Sequence, residues 1–324
     1  MTLNAASHHD LGFARAVLAG LEAVPRAMPS EWLADEVDVD RVEAGIASSD
    51  GDASHFETLI LDRCAREIAS EVGPGAHVVV WGGGMGAGVD RLLAALEAPR
   101  LCMPIDASAL ALAAAAQHLK QRFPTLSIHL VARDFMRLAA LPCSPASTVG
   151  EDPTLVVVPA RRIGSIAPDD AAALLRRIAS MAGARTRLVV GTPLLPHAST
   201  SIETRHDAAG LASGPGLRLL ARINRELGGD FDPAGYREEL RSDATGRRCD
   251  CLLVSRTPQR VRVLGRLFEF GAGETIHVGR TYRHGLSPFE VLAEAAGWGL
   301  CQRWVDAGAR CAVHVLALNS SQCK

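Results

Sequence analysis

Short apolar runs and amphipathic stretches alternate along the chain from residue 77 to residue 191. Residues 10–24 and 53–72, which precede this region, repeat apolar positions at helical spacing and predict two helices. Strands that alternate with helices are typical of a parallel sheet covered by helices on both faces. The strands predicted in this way are 77–81, 100–105, 127–132, 154–159 and 187–191, with helices near 86–97, 107–122 and 168–182.

The pattern changes after Gly191, where a stretch rich in Pro, Ser, Thr and Gly begins. A helix that ends at Gly228 follows it. Antiparallel strands then dominate the predicted structure. We expect residues 251–255 and 259–270 to pair with each other, residues 274–283 to form another strand, and WGLCQRWVD with CAVHVLAL to form a closing hairpin.

The composition is that of a globular protein, with 48% hydrophobic and 22% charged residues among 324. The net charge of -2 provides no basic excess, so we expect no nucleic-acid partner. No uncharged apolar stretch is long enough to cross a membrane and no signal peptide is apparent, so we expect no membrane partner and a cytoplasmic location. The eight cysteines are scattered and are expected to be reduced, and Cys249 with Cys251 is a poor zinc signal.

The segment from Val78 to Asp106 reads as a strand, a glycine-rich turn, a helix, a second strand and a terminal acid. Glycine tolerates a tight bend and lets the backbone approach a ligand closely, because it has no Cβ. Read from Val80, the turn fits x-x-G-x-G-x-G, the form used for S-adenosylmethionine. Read from Gly82, it fits G-x-G-x-x-A, the dinucleotide form. Asp106 stands where a ribose would be bound, and a tight turn without a ligand is the alternative.

The closing hairpin distinguishes the two cofactors. Sheets of class I methyltransferases end in such an antiparallel hairpin, whereas dinucleotide dehydrogenases usually continue with further βα units. The pattern therefore favours S-adenosylmethionine as the cofactor.

Several stretches together resemble the histidine-specific Nα-methyltransferases of ergothioneine biosynthesis. The stretches are ARINRELGGDFDPAGY, ETIHVGRTYR, GTPLLPH, MPIDAS and ARDF, and the match extends in order from about residue 12 to residue 318. The resemblance implies an α/β fold: a class I S-adenosylmethionine-dependent methyltransferase (Rossmann-like) sheet with an interleaved α+β substrate-binding domain. It places the cofactor domain at 56–195 plus 284–324 and the substrate domain at 1–55 plus 196–283. The family methylates the α-amino nitrogen of histidine.

The resemblance also implies which residues bind the cofactor. They are Gly82, Gly83 and Gly84 in the glycine loop, Asp106 at the ribose hydroxyls, and Asp134 with Phe135 at the adenine. Methyl transfer depends on positioning rather than on a metal or a covalent intermediate. We therefore expect no metal and assign no catalytic residue.

The chain departs from the family pattern at positions that contact the ligands. Val80 stands in place of an acid of the cofactor strand, and Gly88 stands in place of a lysine that binds the cofactor carboxylate. The glutamate that holds the substrate imidazole corresponds to Gly279. The substrate-binding residues implied are Ser165 in place of an asparagine, Arg205 in place of a tyrosine, Gly279, Arg280, and Thr281 in place of a serine.

These departures argue against histidine as the substrate. A buried imidazole N–H that faces Gly279 would lose its hydrogen-bond acceptor. The side chains of Arg162, Arg205 and Arg280 would suit a carboxylate or phosphate group of a substrate. The alternative is that these arginines pair with local acids. One hypothesis is an N-methyltransferase for an amino-acid-like small molecule other than histidine. The other is a catalytically inactive methyltransferase-like binding protein or subunit with an active partner, since the departures cluster at functional positions.

Overall fold

The structure is a computed structural model that describes residues 6–28, 53–82, 87–106, 109–133, 135, 152–194, 203–204 and 215–319. Its helices are α1 (Ala6–Glu22), α2 (Ala53–Val72), α3 (Ala87–Ala95), α4 (Ala109–Arg122), α5 (Ala160–Ile163), α6 (Pro168–Met181), α7 (Pro215–Leu227) and α8 (Leu286–Ala295). Its strands are β1 (His77–Trp81), β2 (Leu101–Asp106), β3 (Ser127–Ile128), β4 (Val131–Ala132), β5 (Thr154–Val158), β6 (Thr186–Pro193), β7 (Glu203–Thr204), β8 (Tyr236–Ser242), β9 (Arg248–Ser255), β10 (Gln259–Val263), β11 (Arg266–Phe270), β12 (Thr275–Tyr282), β13 (Trp298–Val305) and β14 (Cys311–Leu318).

The chain divides into two compact units. The insert unit comprises Met1–Asp38 and Ser199–Thr281, and the sheet unit comprises Val39–Ala198 and Tyr282–Lys324. Each unit therefore draws on two separate stretches of the chain. That one unit serves the cofactor and the other the substrate stays a prediction.

The sheet unit contains an eight-stranded sheet in the order β13-β14-β6-β5-β1-β2-β3, with β4 also paired to β2. Strands β1 to β6 are parallel, whereas β14 runs antiparallel to β6 and β13 antiparallel to β14. This sheet confirms the predicted Rossmann-like fold class and its closing hairpin. The chain leaves β1 toward β2 on one side and later returns on the other side through β5. Ligands of such sheets bind outside the carboxyl ends of the strands at this reversal.

Two apolar cores cover the faces of the sheet. Because successive side chains of a strand point to opposite faces, β1 contributes Val78 and Val80 to one core and Val79 to the other. The first core contains apolar residues of α2 and α3, and the second contains those of α6 and α8. The strands are thereby fixed in position, and their carboxyl ends form a rigid base for a site.

The insert unit packs α1 and α7 with antiparallel strands around a separate core that includes Phe13, Ile223 and Tyr236. Its main sheet has the order β12-β9-β8-β7, and β10 pairs with β11 as a separate hairpin. The expected pairing of 251–255 with 259–270 is wrong. Residues 259–270 instead fold back on themselves, because Leu264 and Gly265 form a two-residue turn with φ values of 49° and 77°.

Candidate active site

The glycine turn after β1 lies at the reversal point of the sheet. Gly82 has a φ of +105°, a conformation that favours glycine, and its N–H donates to the Ile105 carbonyl of β2 at 2.8 Å. This bond folds the backbone over the end of β2. Gly83 and Gly84 lie outside the described residues.

Asp106 is the terminal residue of β2, where the sequence predicts the ribose acid. Its side chain is 9% exposed, and its Oδ2 accepts a hydrogen bond from the Arg162 guanidinium. Arg162 is 40% exposed and comes from α5, directly after β5. Three strands of the sheet thus converge on one group of residues, and Asp106 is bound to a side chain of the protein itself.

Arg162 also lies against the glycine turn. A Cβ built on Gly82 would be 2.5 Å from the Arg162 Nε, 3.2 Å from its Nη2 and 3.3 Å from its Cγ. The arginine side chain therefore runs along the Gly82 backbone before it reaches Asp106. A side chain at position 82 would require the Arg162 side chain to move.

A buried glutamate fixes the short helix that carries Arg162. Glu57 of α2 is 6% exposed, and its Oε1 accepts the Ala160 N–H at 3.1 Å. A Cβ on Gly191 would lie 2.0 Å from this oxygen, so a glycine is required there for the carboxylate to fit. Glu57 is not among the site residues predicted from the sequence. The sequence does contain an indication of this role, because Glu57 is an acid at helical spacing with Leu61 and Ile68 on the apolar face of α2.

The two positions at which the chain departs from the family's cofactor-binding pattern, Val80 and Gly88, are part of the apolar packing. Val80 is fully buried in the core beneath the glycine turn. Gly88 lies buried in α3, where an added Cβ would be 2.9 Å from the Leu61 Cδ1 of α2. The close approach of α2 and α3 therefore suits the glycine, and a lysine there would have to displace Leu61.

The residues predicted at the adenine are only partly described. Phe135 is 1% exposed in the second core of the sheet unit, and its ring centroid is 5.5 Å from that of Trp81. Asp134 lies outside the described residues. Phe135 thus stands near the end of β1, and its ring is packed against an aromatic neighbour.

Among the predicted substrate residues, Ser165 belongs to the sheet unit and is exposed. Its hydroxyl donates to the Arg162 carbonyl at 2.8 Å, one turn back along the chain. The hydroxyl therefore closes the turn after α5. Arg205 lies outside the described residues.

Gly279, Arg280 and Thr281 lie together on β12 in the insert unit. Gly279 is buried, whereas Arg280 and Thr281 are exposed. The Arg280 Nε donates a hydrogen bond to Asp250 at 2.6 Å. Arg280 is therefore paired with a local acid, which is the alternative to binding an anionic substrate.

His277 is likewise paired with Asp250, at 3.1 Å from its Nε2. Burial alone would raise the pKa of Asp250, but hydrogen bonds from Arg280 and His277 and the charges of Arg280 and Arg248 lower it below its usual value. Asp250 is therefore a stable carboxylate that organises β9 and β12. His277 is part of this cluster on β9 and β12.

The described cysteines differ in oxidation state and in burial. Cys64, Cys102, Cys249, Cys251 and Cys311 are free thiols, whereas Cys301 is disulfide-bonded, against the expectation that all are reduced. The partner of Cys301 lies outside the described residues. Burial raises the pKa of Cys64 and Cys102 to about 12, so these two thiols are not nucleophiles at neutral pH.

Among the residues that the structure describes, no group of three or more His, Cys, Asp or Glu side chains is arranged to hold a metal ion. None of the described helices combines the length and the apolar character needed to cross a bilayer.

The chain is similar to known methyltransferases. The family described as histidine-specific methyltransferase, SAM-dependent, matches residues 13–318. A histidine N-alpha-methyltransferase of Mycolicibacterium smegmatis is 30% identical over 302 residues, covering 90% of each chain. A protein of the same name from Mycobacterium tuberculosis is 28% identical over 303 residues, covering 91% of each. Among solved structures, the CcbJ methyltransferase of Streptomyces caelestis matches 79% of this chain and 89% of its own, with 14% identity and a TM-score of 0.49.

Proposed function

Because this chain belongs to the histidine-specific, S-adenosylmethionine-dependent methyltransferase family, we propose that it methylates the amino nitrogen of an amino acid or related small amine other than histidine. The observation that carries this choice of substrate is Gly279. The family resemblance assigns this position to the glutamate that holds the imidazole, and here it is a buried glycine. A histidine bound there has no carboxylate at that position to accept its ring N–H.

The size of this effect is large enough to change the preferred substrate. A buried donor that loses its acceptor costs about 1–3 kcal/mol. That free energy corresponds to roughly tenfold to hundredfold in affinity. On β12, Thr281 would still offer a hydroxyl group to the substrate, whereas Arg280 would have to leave Asp250 to bind an anionic group.

The ribose side of the cofactor site fits S-adenosylmethionine. Gly82 presents its backbone without a side chain, and Asp106 offers two carboxylate oxygens once Arg162 releases it. Gly83, Gly84, Asp134 and Phe135 complete the set of residues that we propose to hold the cofactor. The cofactor supplies an activated methyl group on a sulfonium. The protein has to orient the substrate amine in line with it and to exclude water, and the rigid sheet edge suits that task.

The departures at the methionine end of the cofactor site, together with the Arg162–Asp106 pair at its ribose side, support a second candidate function. Val80 provides no acid there, Gly88 provides no cation, and Arg162 occupies Asp106. A methyltransferase-like binding protein that assists an active enzyme would tolerate all three features. Because a changed substrate does not by itself explain Val80 and Gly88, this candidate is tested alongside the first.

Calorimetric titration with S-adenosylmethionine and S-adenosylhomocysteine separates the two candidates. We expect both ligands to bind, and absence of binding at millimolar concentration would refute the methyltransferase assignment. The protein is then incubated with S-adenosylmethionine and a panel of amino acids and small amines. Mass spectrometry should find added methyl groups on a compound other than histidine. Trimethylated histidine as the main product would contradict the proposed specificity.

A further inference from the structure

We propose that Arg162 determines the affinity of the cofactor site by competing with the ribose for Asp106. Its guanidinium holds the carboxylate in the structure, and a ligand that binds Asp106 must replace it. This inference rests on the proposed methyltransferase function, because the ligand in question is the ribose of an adenosyl cofactor. It goes beyond that function in assigning a role to an arginine that does not belong to the implied cofactor set.

The geometry makes the two partners of Asp106 mutually exclusive. The Arg162 side chain fills the space between the Gly82 backbone and the Asp106 carboxylate, as the 2.5 Å separation between its Nε and a Cβ built on Gly82 indicates. A ribose held by Asp106 beneath the glycine turn has to lie in the same space. The ribose and the guanidinium therefore exchange places on the carboxylate.

Among the described residues around Asp106, the exchange requires movement of the Arg162 side chain. The backbone around Arg162 is fixed on both sides: the Ala160 N–H is bound by Glu57, and the Gly164 carbonyl accepts the Tyr282 N–H at 2.6 Å. The arginine side chain is 40% exposed, so the guanidinium can move into water. Asp106 stays in place because it terminates a buried strand.

Breaking a charge-assisted hydrogen bond to a nearly buried carboxylate opposes cofactor binding. Removal of the guanidinium should therefore strengthen the binding of any ligand that uses Asp106. We expect Arg162→Ala to tighten S-adenosylmethionine and S-adenosylhomocysteine by about tenfold, which corresponds to about 1.4 kcal/mol. The reverse sign is expected if Arg162 contacts the bound cofactor or holds Asp106 in its binding conformation.

The test is calorimetric titration of the full chain with each of the two ligands. Arg161→Ala is the matched control, because Arg161 is an exposed arginine of the same short helix, and its loss should change affinity by less than about twofold. Thermal unfolding of each variant establishes that the proteins titrated are folded. Tighter binding to Arg162→Ala than to the wild type and to Arg161→Ala supports the inference.

Equal or weaker binding to Arg162→Ala, with measurable binding to the wild type, overturns the inference and leaves the proposed function intact. Absence of binding to both proteins overturns the inference and the proposed function together. A second variant, Arg162→Lys, retains a positive charge that can still pair with Asp106. We expect its affinity to lie nearer to that of the wild type than to that of Arg162→Ala.

Discussion

The buried carboxylate of Glu57 should be essential for the stability of the sheet unit. In Glu57→Ala, the Ala160 N–H loses an acceptor that lies 3.1 Å away in a buried position. An unsatisfied buried donor costs about 1–3 kcal/mol, and the space above Gly191 that the carboxylate fills is left empty. The free energy of unfolding should therefore fall by about 2 kcal/mol or more.

Two further variants isolate the hydrogen bond. Glu57→Gln preserves an oxygen acceptor and a similar shape, so it should cost less than about 1 kcal/mol. Glu67→Ala removes an exposed glutamate from the same helix and should change stability by no more than about 0.5 kcal/mol.

Urea denaturation followed by tryptophan fluorescence measures these differences. The signal reports mainly on the relevant unit, because Trp81, Trp298 and Trp304, three of the four tryptophans, belong to the sheet unit. If Glu57→Ala is no less stable than Glu67→Ala, the carboxylate does not stabilise α5 and the reasoning is refuted.

Three other outcomes are expected. Asp106→Ala should weaken S-adenosylmethionine binding by roughly tenfold to hundredfold in calorimetry through loss of the ribose bonds, and an unchanged titration would mean that Asp106 does not bind the ribose. Gly279→Glu should raise the rate of histidine methylation, measured by mass spectrometry, by about tenfold or more, whereas Gly279→Met should not. Equal rates for the two variants would mean that residue 279 does not face the imidazole. Asp250 has a pKa below its ordinary value, so its carboxylate adds to the free energy of unfolding above about pH 4. This contribution is lost as the pH falls through the pKa that Asp250 has in the folded state. In urea denaturation, the free energy of unfolding of Asp250→Asn should therefore fall less steeply toward acid pH than that of the wild type. Parallel pH dependences of the two proteins would refute this.

The sheet and its cofactor edge could be predicted because their signals are local. A strand buried on both faces is a continuous apolar run, and the turn after β1 needs glycine at Gly82 for its positive φ. The position of Asp106 follows from its place at the end of the second such run. These features depend on neighbours within a few residues, so the pattern of the chain determines them.

The contacts that distinguish this site could not be predicted in the same way. Arg162 and Asp106 are 56 residues apart, and Glu57 and Ala160 are 103 residues apart. Their meeting depends on which strands become neighbours in the sheet. The hairpin turn at Leu264 and Gly265 is difficult to predict for another reason. A leucine before a glycine within an apolar stretch is only a weak indication of such a turn.

The position of β14 within the sheet has a consequence for the folding of the chain. Thr192 of β6 and Ala312 of β14 are separated by 120 residues in sequence, yet they are paired in register. During synthesis, β6 therefore emerges well before the strand that covers its edge. Until then, its backbone groups and Val189 are available to other chains, so β6 is an unprotected edge strand in the growing polypeptide. Closing this sheet depends on a contact of long sequence separation, and such contacts form slowly.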